Sequence, residues 1–167
     1  MRQTRLRLAL AAFALLAATP ALAACDEPGW DLPALVAALG RAAPVNPGAQ
    51  VAVARDAGTA VTVGLAPQAD VTFDLPPERP PRNPDPRAGI VHFAAGAAGT
   101  YEVALSDAAW IDVVQDGALV ASGDFLGVHD CPGIRKVVAF DLSAAPFTLQ
   151  LGDADVAAIA VALVPRR

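Results

Sequence analysis

The sequence predicts a mainly β protein, an antiparallel and jelly-roll-like β-sandwich with one short N-terminal helix. Two observations support the sandwich: apolar residues alternate with polar ones over most of the chain after residue 49, and turn sequences separate these runs at about 8–12 residues. A third observation supports the helix, because a single segment shows a clear helical spacing of apolar residues.

Residues 1–23 have the pattern of a secretory signal peptide. Three arginines within the first seven residues precede an apolar run, Leu8 to Ala18, and Ala21-Leu22-Ala23 fits the small-residue cleavage rule. We therefore expect a periplasmic or secreted protein. The run is short for a membrane span, so an uncleaved anchor is the less favoured alternative.

The two cysteines, Cys25 and Cys131, are interpreted from this expected export. Cleavage after Ala23 leaves both in an oxidising compartment, where they can pair in a disulfide. The stretch Leu22-Ala23-Ala24-Cys25 also resembles a bacterial lipobox, which would anchor the protein to a membrane through a lipid on Cys25. We favour the disulfide, because lipidation would leave Cys131 as an odd thiol.

The charge of the chain argues against two classes of partner. Without residues 1–23 the chain holds nine basic and 17 acidic residues, a net charge of −8. A negative surface disfavours nucleic acid, and it disfavours an anionic membrane surface unless Cys25 is lipidated. The length is enough for one domain with a substantial core.

Residues 24–48 are expected to form an N-terminal segment that contains the helix. Its apolar positions follow helical spacing: Leu32, Leu35, Val36 and Leu39. Asp31 can cap the N-terminus of this helix, Pro33 suits its first turn, and Gly40 lies near its end.

Residues 49–167 are expected to form the sandwich. The predicted strands are 50–55, 60–65, 71–75, 89–94, 101–105, 110–115, 119–123, 135–142, 147–151 and 156–164. Asp116-Gly117 between two apolar runs is a strong hairpin signal, so 110–115 should pair with 119–123. The proline-rich loop 76–87 cannot join a ladder, because proline lacks the N–H donor, and we expect an extended surface loop there.

Side chains suited to catalysis are few, so we lean against an enzyme and assign no catalytic residue. The two histidines are His92, in an alternating strand, and His129, in a loop. His129, Asp130 and Cys131 could contribute to a metal site, but Cys131 is expected in the disulfide and no second ligand pair has suitable spacing. We therefore expect no metal and no cofactor.

Trp110 and Asp112 share one face of their predicted strand, opposite Ile111 and Val113. If Ile111 and Val113 face the core, Trp110 points outward, where an aromatic ring beside an acid can stack on a sugar or a protein. In the alternative, Trp110 lies in the core and Asp112 at its rim. The candidate binding residues are Trp110, Asp112, Asp116, His129, Asp130 and Arg135.

Three segments carry a family resemblance: Cys25 with Trp30, the stretch 101–117, and Cys131-Pro132-Gly133-Ile134-Arg135-Lys136 followed by 147–151. They resemble a family of small exported proteins of Gram-negative, mainly alphaproteobacterial, bacteria. Some members carry the automatic name homogentisate 1,2-dioxygenase. That enzyme resembles a cupin and holds iron with two histidines and a glutamate, a motif that His92 and His129 do not match. The second half also resembles jelly-roll pre-peptidase C-terminal modules, which implies binding or assistance rather than catalysis.

Together these features predict an exported, non-catalytic binding or envelope-accessory protein. It would contact an envelope protein or a glycan through the 110–124 hairpin and the 129–135 loop. One alternative is a periplasmic lipoprotein anchored at Cys25. Another is an enzyme or a metal-binding protein that uses His92 and His129.

Overall fold

The computed structural model describes residues 25–53 and 58–166, so the predicted signal peptide, 1–23, lies outside the described residues. The described residues form one α-helix and twelve strands. These are α1 (Leu32–Leu39), β1 (Ala43–Val45), β2 (Gln50–Val51), β3 (Thr59–Gly64), β4 (Ala66–Pro67), β5 (Arg87–Phe93), β6 (Gly99–Leu105), β7 (Trp110–Gln115), β8 (Ala118–Leu119), β9 (Ser122–Gly127), β10 (Lys136–Leu142), β11 (Phe147–Ala154) and β12 (Ala158–Pro165). No helix among them is long and apolar enough to cross a membrane.

Two six-stranded sheets pack into the predicted β-sandwich. Sheet 1 has the order β1-β3-β12-β6-β10-β9, and sheet 2 has the order β2-β5-β11-β7-β8 with β4 beside β5. Most neighbouring strands are antiparallel as predicted, but two edge pairs differ, because β1 pairs with β3 and β2 with β5 in parallel. In each case a strand of the opposite sheet lies between the partners in the chain, and this crossover allows the parallel direction.

The main core lies between the inner faces of the sheets. Its large, fully buried side chains include Phe93, Phe140, Leu105, Leu149, Leu151, Ile159 and Leu163. The rings of Phe93 and Phe147 stack across the β5–β11 pair with their centroids 4.9 Å apart. The alternation in the sequence therefore places every second residue of these strands in one contiguous apolar layer.

The N-terminal segment covers the outer face of sheet 1. Asp31 caps α1 as predicted, since its Oδ1 accepts a hydrogen bond from the Ala34 backbone N–H at 3.1 Å. Cys25 and Cys131 form the predicted disulfide, with their Cα atoms 4.9 Å apart. The bridge lies in a second apolar cluster with Leu32, Leu35, Leu39, Ala104, Val128, Ile134, Val137 and Ala162. The disulfide thus joins the helix-bearing segment to the sandwich.

The 110–124 region forms the predicted hairpin, but the second strand of the hairpin ends earlier than expected, at Leu119. Asp116 and Gly117 both have positive φ, 53° and 76°, which gives a type I′ turn. After the two residues of β8 the chain crosses to sheet 1, so the predicted strand 119–123 is wrong as one element. Similarly, the predicted strand 50–55 is a ladder only at Gln50–Val51, and residues 54–57 lie outside the described part.

Residues 71–75 are not a strand, although they alternate. Val71, Phe73, Leu75, Pro77 and Arg79 are half-buried, and the residues between them are exposed. The segment 71–83, here called the strap, lies extended across the outer face of sheet 2. Alternating burial indicates an extended chain with one covered side. It does not require hydrogen bonds to a neighbouring strand.

Candidate functional site

The outer face of sheet 2 carries polar side chains on neighbouring strands. Thr148 of β11 lies opposite His92 of β5, and Gln150 of β11 lies opposite Asp112 of β7. On a bare sandwich this face would meet water. Gln150 is instead only 1 % exposed and Asp112 only 5 %, because the strap covers them.

Side chains of the sheet bind the main chain of the strap. The amide of Gln150 makes two bonds to Leu75, with Oε1 accepting from its N–H and Nε2 donating to its carbonyl, both at 3.1 Å. Asp112 Oδ2 accepts from the Glu78 N–H at 3.3 Å. Asp153 Oδ1 accepts from the N–H groups of Arg82 and Asn83 at 2.9 and 2.8 Å. The buried polar groups of this face are thereby satisfied.

Trp110 lies under the strap, near two cations. The Cζ of Arg79 is 4.1 Å and the Nζ of Lys136 5.1 Å from the centroid of a Trp110 ring. The Trp110 Nε1–H donates to Asp112 Oδ1 at 2.7 Å, and Arg79 forms an ion pair with Asp153 at 3.0 Å. Ile111 and Val113 belong to the core, so Trp110 faces outward. The strap nevertheless keeps its ring from being freely presented.

Burial shifts the pKa values of two charged side chains in this cluster, Asp112 and Lys136. Removal from water raises the pKa of Asp112, and the hydrogen bond from Trp110 opposes this shift. Removal from water also lowers the pKa of Lys136, and the nearby positive charge of Arg79 lowers it further. The charged forms of both side chains are therefore stabilised less well here than in water.

A groove opens beside the first residues of the strap, at the end of the sandwich that carries the Asp116-Gly117 turn. It has a volume of about 400 Å³, and His92, Thr148, Asp74, Gln50, Val114, Asp116 and Pro146 are among the residues that line it. The Thr148 hydroxyl donates to Asp74 Oδ2 at 2.6 Å and lies 2.9 Å from His92 Nδ1. Because the hydroxyl proton is directed to Asp74, Thr148 accepts from an Nδ1–H of His92, which leaves Nε2 of the ring for another partner.

The six predicted binding residues lie in three separate places. Trp110 and Asp112 are covered by the strap, and Asp116 lies on the groove at the other end of β7. His129 and Asp130 are exposed in the loop before β10. Arg135 donates from Nη1 to the Val128 carbonyl at 3.0 Å and so holds this loop closed.

The two histidines are far apart, since His129 belongs to the loop at the Lys136 end of β10 and His92 to the groove at the turn end. The arrangement of both histidines with a carboxylate, which the enzyme alternative requires, is not formed. Within residues 25–53 and 58–166 no group of three or more His, Cys, Asp or Glu residues is placed to hold a metal ion.

The interpretation of the sequence missed the residues that hold the strap: Asp74, Arg79, Thr148, Gln150 and Asp153. The sequence does contain a pattern that indicates these residues. Phe147-Thr148-Leu149-Gln150-Leu151 places two polar side chains on one face of a strand in the middle of a sheet. The alternation at 71–79 supplies the segment that covers them.

Comparison with known proteins identifies no relative. No protein-family model, curated protein or solved structure matches the chain. The site must therefore be interpreted from its own geometry.

Proposed function

We propose that the protein is an exported, non-catalytic β-sandwich that binds a protein or a glycan of the cell envelope, with the His92 groove as its contact surface. The observation that carries this proposal is the hydrogen-bonded series Asp74–Thr148–His92 at an open groove. Side chains that are already fixed lose less conformational entropy when a partner binds.

The groove offers groups suited to polar recognition. His92 presents Nε2, and the exposed side chains of Gln50 and Asp116 add an amide and a carboxylate. Val114 and Pro146 supply apolar contact beside them. A few oriented polar groups among apolar ones are typical of sites that bind ligands.

Export is supported by the buried disulfide, because such bridges persist in oxidising compartments. The lipoprotein alternative requires the Sγ of Cys25, the atom that is bonded to Cys131. We therefore favour a periplasmic or secreted protein without a lipid anchor.

A photo-crosslinking side chain at position 116 tests the proposal, with the same side chain at the exposed Asp130 as the matched control. The protein is produced with residues 1–23 in a Gram-negative host and activated in intact envelopes. We expect one or a few discrete adducts from position 116, none from position 130, and a loss of adducts when His92→Ala is added. Equal adducts from both positions, or adducts that survive His92→Ala, would contradict the groove as the contact surface.

A further inference from the structure

The strap is held as a bound peptide is held. The bonds to Leu75, Glu78, Arg82 and Asn83 go to backbone N–H and carbonyl groups, so they recognise an extended main chain independently of its side chains. Specificity then resides in the alternate side chains that face the sheet. These are Phe73, Leu75, Pro77 and Arg79.

The sheet provides room for these anchors. Gly152 lies opposite Trp110 in the β7–β11 pair. A methyl group at Gly152 would stand 3.8 Å from Cζ of Phe73 and 3.1 Å from Oε1 of Gln68. The missing side chain therefore leaves space for the Phe73 ring beside Trp110, while Arg79 stacks on the indole.

One polar group of the strap remains unsatisfied although the bonds to its main chain are formed. The buried Nε of Arg79 has no hydrogen-bond partner among the described residues. Arg79 also approaches Trp110 together with a second cation, Lys136. Seven of the thirteen strap residues face solvent. These features favour local release of the strap without unfolding of the sandwich.

We propose that the outer face of sheet 2 is a peptide-recognition surface that the chain's own strap occupies. Its external partner is an extended protein segment with the pattern apolar-x-apolar-x-Pro-x-Arg, which is the pattern of 73–79. Such a segment binds by displacing the strap. This surface adjoins the His92 groove, because Asp74 and Leu75 of the strap also line that groove. Release of the strap would therefore also remove Asp74 from Thr148, but binding of a peptide to the face does not require a partner in the groove.

A labelled peptide with the sequence of residues 71–83 tests the proposal. The strap variant Phe73→Ala/Arg79→Ala alters the occupant and leaves the face intact. We expect the peptide to bind this variant about tenfold or more tighter than the wild-type protein, in which the tethered strap competes at a high effective concentration. A reversed peptide of the same composition should not bind, and adding Gln150→Leu should abolish binding.

The proposal is overturned if the strap variant retains its native circular dichroism and yet shows no saturable binding, or if the reversed peptide binds equally well. Should the variant fail to fold, amide exchange of the wild-type protein decides. We expect the amides of Leu75 and Glu78 to exchange about 100-fold or more faster than the ladder amide of Leu149. Equal protection of the three amides would mean that the strap opens only on global unfolding, which also overturns the proposal.

Discussion

The guanidinium of Arg166 stacks on the indole of Trp30, with Cζ 4.8 Å from the ring centroid. Arg166 also lies 3.4 Å from a carboxylate oxygen of Glu102 and 2.9 Å from one of Asp124, and its Nη2 donates to the Gly29 carbonyl. One cation near the C-terminus thus fastens the N-terminal segment to the outer face of sheet 1. Sequence periodicity gives no sign of this contact.

Replacing Arg166 with Gln should lower the free energy of unfolding by about 2 kcal/mol at pH 7, because the buried carboxylate of Glu102 loses its counter-ion. Burial already raises the pKa of Glu102, and Arg166 opposes that shift. Without Arg166 the folded protein holds the Glu102 proton to higher pH, so the loss should grow as the pH rises from 4.5. Urea unfolding at pH 4.5 and 7 measures the difference, with the exposed Arg41→Gln as control. A loss that does not depend on pH would contradict this account.

Asp153 supports the strap and also has a positive φ of 56°. Asp153→Ala removes the ion pair with Arg79 and the acceptor for two N–H groups, so we expect a loss of about 2 kcal/mol in the free energy of unfolding. Asp153→Asn should cost clearly less, because its Oδ1 still accepts and asparagine tolerates this backbone conformation. Urea unfolding compares the two variants, and equal losses would show that the hydrogen bonds contribute little.

Lys136 is the only lysine in the chain. Its pKa is lowered in the folded protein, so between that value and the ordinary 10.5 the unfolded chain binds more protons. The stability of the wild-type protein should therefore rise with pH over this range. Lys136→Met should remove that contribution, so the stability of the wild-type protein relative to the variant should increase as the pH approaches 10.5. Urea titrations from pH 7 to 10 test this, and a constant difference would contradict it.

Gly117→Ala should lower the free energy of unfolding by about 1 kcal/mol. No atom lies within 4 Å of the position of the added methyl group, so the cost arises from the φ of 76°. Gly64→Ala is a matched control, since it also has free space but no positive φ. Thermal unfolding compares the two variants. A similar loss in both would show that the type I′ turn is not the cause.

Reduction of the Cys25–Cys131 bridge should cost up to about 4–5 kcal/mol, since it closes a long loop in the unfolded chain. Cys25→Ala/Cys131→Ala should show a comparable loss and should not respond to reductant. Urea unfolding with and without dithiothreitol measures both. A wild-type protein whose stability is unchanged by full reduction would contradict the predicted role of the bridge.

Local patterns predicted much of the fold. The α1 helix, the β7–β8 turn and the disulfide follow from spacing, turn chemistry and cysteine parity, each a property of few residues. The strap was misinterpreted as a strand followed by a free loop. Its partners, Gln150 and Asp153, lie about seventy residues or more away in the sequence. A polar sheet face that is covered by another segment depends on contacts between residues far apart in the sequence. No local sequence pattern predicts such contacts.

Prediction of the candidate binding residues from the sequence is limited in the same way, because their contacts come from distant segments. Strand alternation left two orientations open for Trp110, and the structure decides for the outward one by placing Ile111 and Val113 in the core. Its cover by Arg79 was not predicted at all. Conversely, the importance of His92 depends on Thr148 and Asp74, which come from two other segments. A single residue can be placed on a face from sequence, whereas its neighbours on that face require the topology.

The crossing of the chain between the sheets has a consequence for aggregation. An exposed edge strand can template pairing with another chain, and short edges resist this. The edges β1, β2 and β8 have three, two and two residues, because the chain leaves each of them for the opposite sheet or a loop. Among the described edges β9 is longer, with six residues, and its Phe125 is 74 % exposed. Unwanted self-association at high concentration should therefore begin at β9, and a charged residue in place of Phe125 should suppress it.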